Sequence, residues 1–463
     1  MGTTDATPER LGELVRARWG RRWTVGNLER LTGGASRETW SFDANGPGGE
    51  VAELILQRER PGGVRTGGGT AIEAPLLRAA RDVGVPVPEV VVASVDADAP
   101  AVDLGAPFVI TRRVTGETIA RRILRDDAYA DARPGLATAC GRALAAVHAI
   151  PVGSAPGLEQ PDQVAQFTEL LDLLGQPHPA FELGLRELGA RRPRAAEVTV
   201  VHGDFRLGNL IVGEDGLRAV LDWELAHLGD PVEDLGWLCV KAWRFGAAPV
   251  VGGFGAVEDL LGAYREASGR QVDVDALRWW QAMGTLKWGV MCVIQAATHL
   301  SGAARSVELA AIGRRVCENE HDLLELLGSS GPPPAPLPEA PHGGERPGPD
   351  GPHDVPTAQQ LVEAVREWVE GDVASTARGR VAFHARVAAR VLSTVERELA
   401  LGPGQRTDHR ARLGALGVAD DAALAAAIRA GGFDDRLDDV IATVHAAVRA
   451  KLEVANPGYL GPG

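Results

Sequence analysis

The chain has 463 residues, about three times the size of a usual single domain, so two or three globular units are expected. Hydrophobic residues at 45% and charged residues at 24% match globular averages and exclude a disordered chain. A formal charge of −14 excludes a general nucleic-acid binder, although one local basic pocket can still take a phosphate-bearing ligand.

Pro8–Trp19 carries apolar residues at helical spacing. After a turn over Leu31–Ser36, Glu38–Phe42 reads as a strand. Its partner, Val51–Arg58, lies across the turn Asn45–Gly49. A helix is predicted from about Ala71 to Val83, stopped by Gly84, and then two strands at Glu89–Val95 and Ala106–Thr111. This is a small β-rich lobe with one long helix. Arg122 to Leu327 is mainly helical, interrupted by short apolar strands near Val198–Val201 and Leu217–Leu221. Ser329–His353 holds nine prolines and five glycines in 25 residues, which makes it a semi-extended tether. Beyond it, amphipathic runs at Thr357–Val369, Arg380–Leu399, Ala422–Ala430 and Asp435–Val454 predict a small helical bundle.

The densest polar cluster in apolar text is Val200-Val201-His202-Gly203-Asp204-Phe205-Arg206-Leu207-Gly208-Asn209-Leu210-Ile211-Val212. A strand ends, a polar loop follows, and another strand begins. Further on, Ala219-Val220-Leu221-Asp222-Trp223-Glu224 is a second strand that ends on a carboxylate. An Asp five residues before an Asn, with another Asp thirteen further on, is a layout used for phosphoryl transfer. Asp204 would accept the nucleophile's proton, while Asn209 and Asp222 would hold Mg²⁺ on the nucleotide phosphates. The bland alternative is a pair of tight turns in which Asp and Asn cap local backbone.

HGDFRLGN, then LDWE, then Gly229-Asp230-Pro231-Val232-Glu233-Asp234-Leu235-Gly236 resembles the aminoglycoside phosphotransferase family over roughly residues 20 to 325. The resemblance implies an α+β, protein-kinase-like bilobal fold with a C-terminal all-α bundle. The implied divisions are a small nucleotide-binding lobe at 1–110, a large catalytic and substrate lobe at 111–328, a linker at 329–353 and a helical domain at 354–463. It also implies an ATP- and Mg²⁺-dependent enzyme with Asp204 as catalytic base, Asn209 and Asp222 as metal ligands, and His202 as an orienting residue. Asp230 and Asp234 would brace the loop, or simply cap a helix. In the small lobe, Gly33, Gly34 and Ser36 would cradle phosphates with backbone amides. The only lysines are Lys241, Lys287 and Lys451, so the usual strand lysine is missing. Arg58 takes that place, or Gln57 if the register shifts by one, with Glu73 as the orienting partner. The backbone around Thr111–Arg113 would meet the adenine, which puts Thr111 and Arg113 among the nucleotide contacts.

Asp234–Cys239 with Trp243-Arg244-Phe245, and Gln57–Gly63, are similar to the branch found beside acyl-CoA dehydrogenases, which phosphorylates hydroxyacyl-CoA. That acceptor is preferred, with an aminoglycoside and then a non-catalytic nucleotide-binding pseudokinase as alternatives. Arg112, Arg113, Arg121, Arg122 and Arg125, or Arg186, Arg191, Arg192 and Arg194, would land the anionic ligand unless they are solvated helix faces. Trp279, Trp280, Trp288 and Lys287 would line an acyl slot or fill core. The tail, similar to a small helical domain of unassigned function, would dock on the kinase body or mediate association, with His384 and Arg386 as its polar pair to watch. No apolar run approaches the roughly 20 residues of a membrane span, and the first twenty residues lack a leader's apolar core. Four scattered cysteines read as reduced thiols of a cytoplasmic protein, with no nucleic-acid or membrane partner.

Overall fold

The computed structural model describes residues 7–31, 37–59, 69–154, 157–194, 197–328 and 356–460. The chain opens with α1 (Thr7–Trp19), β1 (Thr24–Leu31), β2 (Arg37–Asn45), β3 (Val51–Glu59), α2 (Gly69–Asp82), β4 (Val90–Ala93) and β5 (Phe108–Arg112). Then come α3 (Ala120–Arg125), α4 (Leu136–Val147), α5 (Gln163–Leu174) and α6 (Pro179–Ala190). Four short strands follow, β6 (Thr199–Val201), β7 (Leu210–Gly213), β8 (Gly216–Val220) and β9 (His227–Gly229). The next helices are α7 (Val232–Leu238), α8 (Val257–Ser268), α9 (Val274–Leu300), α10 (Val307–Gly313) and α11 (Val316–Leu326). The last group is α12 (Ala358–Trp368), α13 (Ala374–Thr376), α14 (Gly379–Leu416), α15 (Asp421–Arg429) and α16 (Leu437–Ala455). The α+β composition and the element order agree with the sequence pattern. Two compact units form, one from residues 1–161 and 193–281, the other from 162–192 and 282–463.

In the first unit, five antiparallel strands pair in the order β1-β2-β3-β5-β4. Side chains alternate across a strand, so each face of this sheet finds its own cover. On one face α1 sets Leu11, Leu14 and Val15 against Trp40, Phe42, Leu54, Leu56, Phe108 and Ile110. On the other, Ala74 of α2 packs with Ala93 and Val109. A second core joins α2, α4, α7 and α8 to the β6–β8 segment through Leu76, Leu144, Phe205, Leu235 and Leu260. Two antiparallel pairs, β6 with β9 and the hairpin of β7 with β8, hold the loops between them.

The second unit is helical. Its core takes Ala180 and Leu183 from α6, Cys317 and Leu324 from α11, Leu413 and Leu416 from α14, and Val444, Val448 and Leu452 from α16. Here one expectation is corrected. The helix expected to end near Leu399 continues through Gly402-Pro403-Gly404 to Leu416. Proline inside a helix removes a backbone bond. Burial of Leu413 and Leu416 in the shared core outweighs that loss.

Polar contacts tie the same elements together. Arg429 of α15 meets Glu182 at 2.5 Å and Asp172 at 2.7 Å. Glu320, with a fully buried side chain, accepts from Lys451 at 2.9 Å and lies 2.9 Å from His178. Burial would raise the Glu320 carboxyl, but Lys451 and His178 outweigh it and hold it at about 2 against an ordinary 4.5. A carboxylate with a depressed folded-state value stabilises the fold above its unfolded value, and that share is lost as pH falls through the folded one. Lys451→Met removes the cation and leaves the buried charge facing His178 alone. We expect a loss of about 3 kcal/mol, the lower end for a broken buried pair because Lys451 itself stays partly in solvent. Chemical denaturation at pH 7 checks this, and the difference from wild type should shrink as pH drops from about 4.5 towards 2.

Candidate active site

β6 ends at Val201, and the chain enters a polar loop that runs to Asn209 before β7 begins. The loop is clamped at its head. Asp234 of α7 accepts the His202 amide at 2.7 Å and the Gly203 amide at 2.8 Å. Gly203 has φ +77°, and a Cβ there would lie 2.3 Å from the Leu225 carbonyl oxygen, so only glycine fits. Burial would raise the Asp234 carboxyl, but His148 at 3.2 Å, with His202 and its amide, outweighs it and holds Asp234 at about 2. His148 is in turn 2.9 Å from the Tyr264 hydroxyl. His202 donates from Nε2 to the Leu221 carbonyl at 3.0 Å and accepts the Asp204 amide on Nδ1 at 3.2 Å. Both contacts fit one neutral tautomer, so His202 orients the loop. Asp230 accepts the Val232 amide at 2.9 Å, a local bond just before α7, whose N-cap position is Pro231.

Asp204 is 7% exposed. Its Oδ1 accepts from Arg206 Nε at 2.9 Å and from the Trp237 indole N–H at 2.9 Å. Its Oδ2 accepts from Asn209 Nδ2 at 2.6 Å, and the same nitrogen donates to the Asp204 carbonyl at 3.0 Å. The Arg206 guanidinium lies 4.5 Å above the Trp243 ring. The Leu221 amide donates to the Asn209 carbonyl at 2.8 Å, which brings the end of β8 beside the loop. There Asp222 adopts the left-handed φ of +63°. Burial first, then the charge of Glu224, pushes its carboxyl up to about 7 despite Arg37, with Asp204 and Glu73 adding to the rise.

The donor set fits Mg²⁺. The amide nitrogen of Asn209 is committed to Asp204, which leaves its oxygen for a metal, and Asp222 sits in an excess of negative charge. No group of three or more His, Cys, Asp or Glu side chains suited to a metal occurs among the described residues. Mg²⁺ needs no such cage, because it keeps waters and shares one or two protein oxygens with phosphate.

The small-lobe residues fall out differently. Gly33, Gly34 and Ser36 lie outside the described residues. Thr111 stands in β5 opposite Ile55 and Val90. The Arg113 amide donates to the Glu53 carbonyl at 3.0 Å, and its side chain meets Ser41, Glu53 and Asp43. That amide is therefore not a donor for a base. Arg58 is corrected as the partner of Glu73. It opposes Phe108 on the face covered by α1, and it meets Glu38 and donates to the Leu104 carbonyl at 2.8 Å. Glu73 pairs instead with Arg37. Most of the basic clusters are ion-paired: Arg112 with Glu89, Arg122 with Glu117, Arg186 with Asp434, Arg191 with Glu187 and Arg192 with Asp162. Trp279 and Lys287 are buried, and the rings of Phe383 and His384 are tilted at 50° with centroids 5.7 Å apart.

The clamped loop brings Asp204 and Asn209 beside Asp222 at the neighbouring strand end of this α+β scaffold. A profile of the phosphotransferase enzyme family (APH) matches residues 27–277, and the chain belongs to that family. That family is one of phosphotransferase enzymes. A second profile, a domain of unknown function (DUF6285), matches residues 375–459. The fold is shared with a protein of Ralstonia eutropha assigned to the aminoglycoside phosphotransferases, which establishes the kinase-like lobes. The TM-score is 0.52 at 22% identity, over 69% of this chain and 98% of that one. Among curated proteins, mouse acyl-CoA dehydrogenase family member 10 is 30% identical over 219 residues, which is 44% of this chain and 20% of the relative. Arabidopsis probable acyl-CoA dehydrogenase IBR3 is 27% identical over 242 residues, 45% of this chain and 27% of the relative. The chain thus spans a fifth to about a quarter of the relatives it matches.

The motifs did not reveal Trp237 as a partner of Asp204, yet a signal existed. Asp234 and Trp237 are three apart on α7, so a helix that aims one at the loop aims the other there too. Trp237→Phe keeps the ring and removes the N–H. Turnover should fall about tenfold, the worth of one hydrogen bond to a charged group, with substrate KM unchanged and a cooperative melt retained at a somewhat lower temperature. Steady-state kinetics beside a thermal melt check this.

Proposed function

We propose that the chain transfers the γ-phosphate of ATP, with Mg²⁺, to a hydroxyl of a hydroxyacyl-CoA. The observation that carries the transfer is the convergence of Asp204, Asn209 and Asp222. Asp204 Oδ2 has one protein donor against two on Oδ1, so it is the oxygen with room for the acceptor hydroxyl's proton. As that proton passes to Asp204, the hydroxyl oxygen bonds to phosphorus and the bond to ADP breaks. Mg²⁺ held by Asn209 and Asp222 would neutralise phosphate charge. Arg206, stacked on Trp243, and Trp237 keep the carboxylate aimed.

What supports the acyl-CoA acceptor is the pair of relatives named for acyl-CoA dehydrogenases. Of the cations expected to land it, Arg121, Arg125 and Arg194 have no ion pair among the described residues, so the anion-binding role narrows to them. We further propose the divisions at 110, 328 and 353, with the C-terminal domain docked on helices of the large lobe through Arg429, Lys451, Asn456 and Tyr459. We also place the enzyme in the cytoplasm. Its four cysteines are buried free thiols, each pushed by burial to about 12, and no described helix is long and apolar enough to cross a membrane.

The test uses γ-labelled ATP with 4-hydroxyacyl-CoAs and with aminoglycosides side by side. Label on the acyl-CoA is expected, and label on the sugars alone overturns the acceptor. Asp204→Asn should cut transfer by roughly 10²–10⁴ while leaving nucleotide affinity nearly intact. Near-normal turnover in that variant overturns the mechanism.

A further inference from the structure

We propose that Arg37, on β2, is the cation that grips the nucleotide's phosphates, in place of any residue on β3. The inference rests on the nucleotide reading above and adds a residue that neither the motifs nor the family resemblance assigned. It begins with an elimination. No lysine precedes Lys241, so the grip falls to an arginine. On β3, Gln57 opposes Val109, which packs with Ala74 of α2, so the residue facing α2 is neutral. Arg58 next to it points to the opposite face and is tied to Glu38 and Leu104. Arg113 is tied to Ser41, Glu53 and Asp43, and Arg30 to Glu38.

Arg37 remains. It is the first residue of β2 and directly follows the glycine-rich Gly33-Gly34-Ala35-Ser36 stretch. The residue is 6% exposed. Its Nη1 meets Glu73 of α2, and its Nε lies 3.8 Å from Glu224, two residues from Asp222. The charge of Arg37 is felt at Asp222 itself. Its Nη2 is buried and makes no hydrogen bond among the described residues. An unpaired buried donor is costly, and on a guanidinium it is a charged donor with a fixed direction. Phosphate oxygens fit it, because a guanidinium offers a planar fork that matches them two at a time. Glu73 holds one arm of that fork and leaves the other for the ligand.

The test compares Arg37→Met and Arg37→Lys with the wild-type chain by calorimetry, using MgATP, MgADP and adenosine, with a ligand-free thermal melt of each. Arg37→Met should weaken MgATP and MgADP at least tenfold and leave adenosine affinity unchanged. Arg37→Lys, which keeps the charge and loses the fork, should give a smaller loss with the same selectivity. Unchanged MgATP affinity in Arg37→Met overturns the proposal, as does an equal loss for adenosine, which would mark a structural role. Should Arg37→Met fail to fold, Arg37→Lys decides by its ratio of MgATP to adenosine affinity: a lowered ratio supports the grip, and an unchanged ratio overturns it. A wild-type chain that binds no MgATP overturns both this proposal and the nucleotide reading. Wild-type binding with indifferent variants overturns this proposal alone.

Discussion

The carboxylate of Asp234, fully buried, receives the amides of His202 and Gly203, and the loop that carries Asp204 and Asn209 starts from that clamp. A carboxylate stripped of water is costly unless paired and hydrogen-bonded, and here two amides and His148 meet it. The same helix that supplies Asp234 supplies Trp237 one turn later. One element therefore fixes both where the loop begins and how its acid points. Gly203 is the sequence's concession to this arrangement, since any side chain would strike Leu225. The fold itself holds the Asp204 carboxylate in place through Arg206, Trp237 and Asn209.

The opposite side of the site is organised by excess charge. Asp204, Asp222, Glu224 and Glu73 act on one another, with Arg37 among them. Burial raises the Glu73 carboxyl even though Arg37 opposes it, and Asp222 rises to about 7. One guanidinium cannot balance that many acids. Such an imbalance is unfavourable for stability, and a dication bound there would relieve the repulsion. The left-handed backbone of Asp222 belongs to the same trade, a small local strain held by the surrounding packing.

Much of this was legible in the sequence. The strands at Arg37–Asn45 and Val51–Glu59, the helix at Gly69–Asp82, and the loop from His202 to Asn209 follow from alternation, turn residues and a polar cluster in apolar text. Arg58 shows where that logic stops. Alternation says correctly that Leu54, Leu56 and Arg58 share a face, but both faces of the sheet are covered, by α1 and by α2. Periodicity cannot say which cover is which. The arginine clusters fail for a similar reason, since their partners, Glu89 for Arg112 and Asp434 for Arg186, are distant in sequence. The helix through Pro403 is the tertiary counterpart, a local signal overruled by burial at Leu413 and Leu416, ten and thirteen residues on.

The C-terminal helical region poses a different question, whether it is an accessory or a part. Three of the acids on α11, Glu318, Glu320 and Asp322, are each under a tenth exposed. Acids packed so densely on a buried helix require donors. Lys451, Asn456 and Tyr459 supply them, at 2.9 Å to Glu320, 3.0 Å to Glu318 and 2.5 Å to Asp322. Val444, Val448 and Leu452 of the same stretch close the apolar core over Leu324. The acids of α11 and the polar end of α16 are thus complementary in kind as well as in place. A helix written with buried carboxylates would be poorly made without that end of the chain. This supports treating the domain of unknown function as a structural component of the phosphotransferase, whose loss would expose a charged and apolar face together.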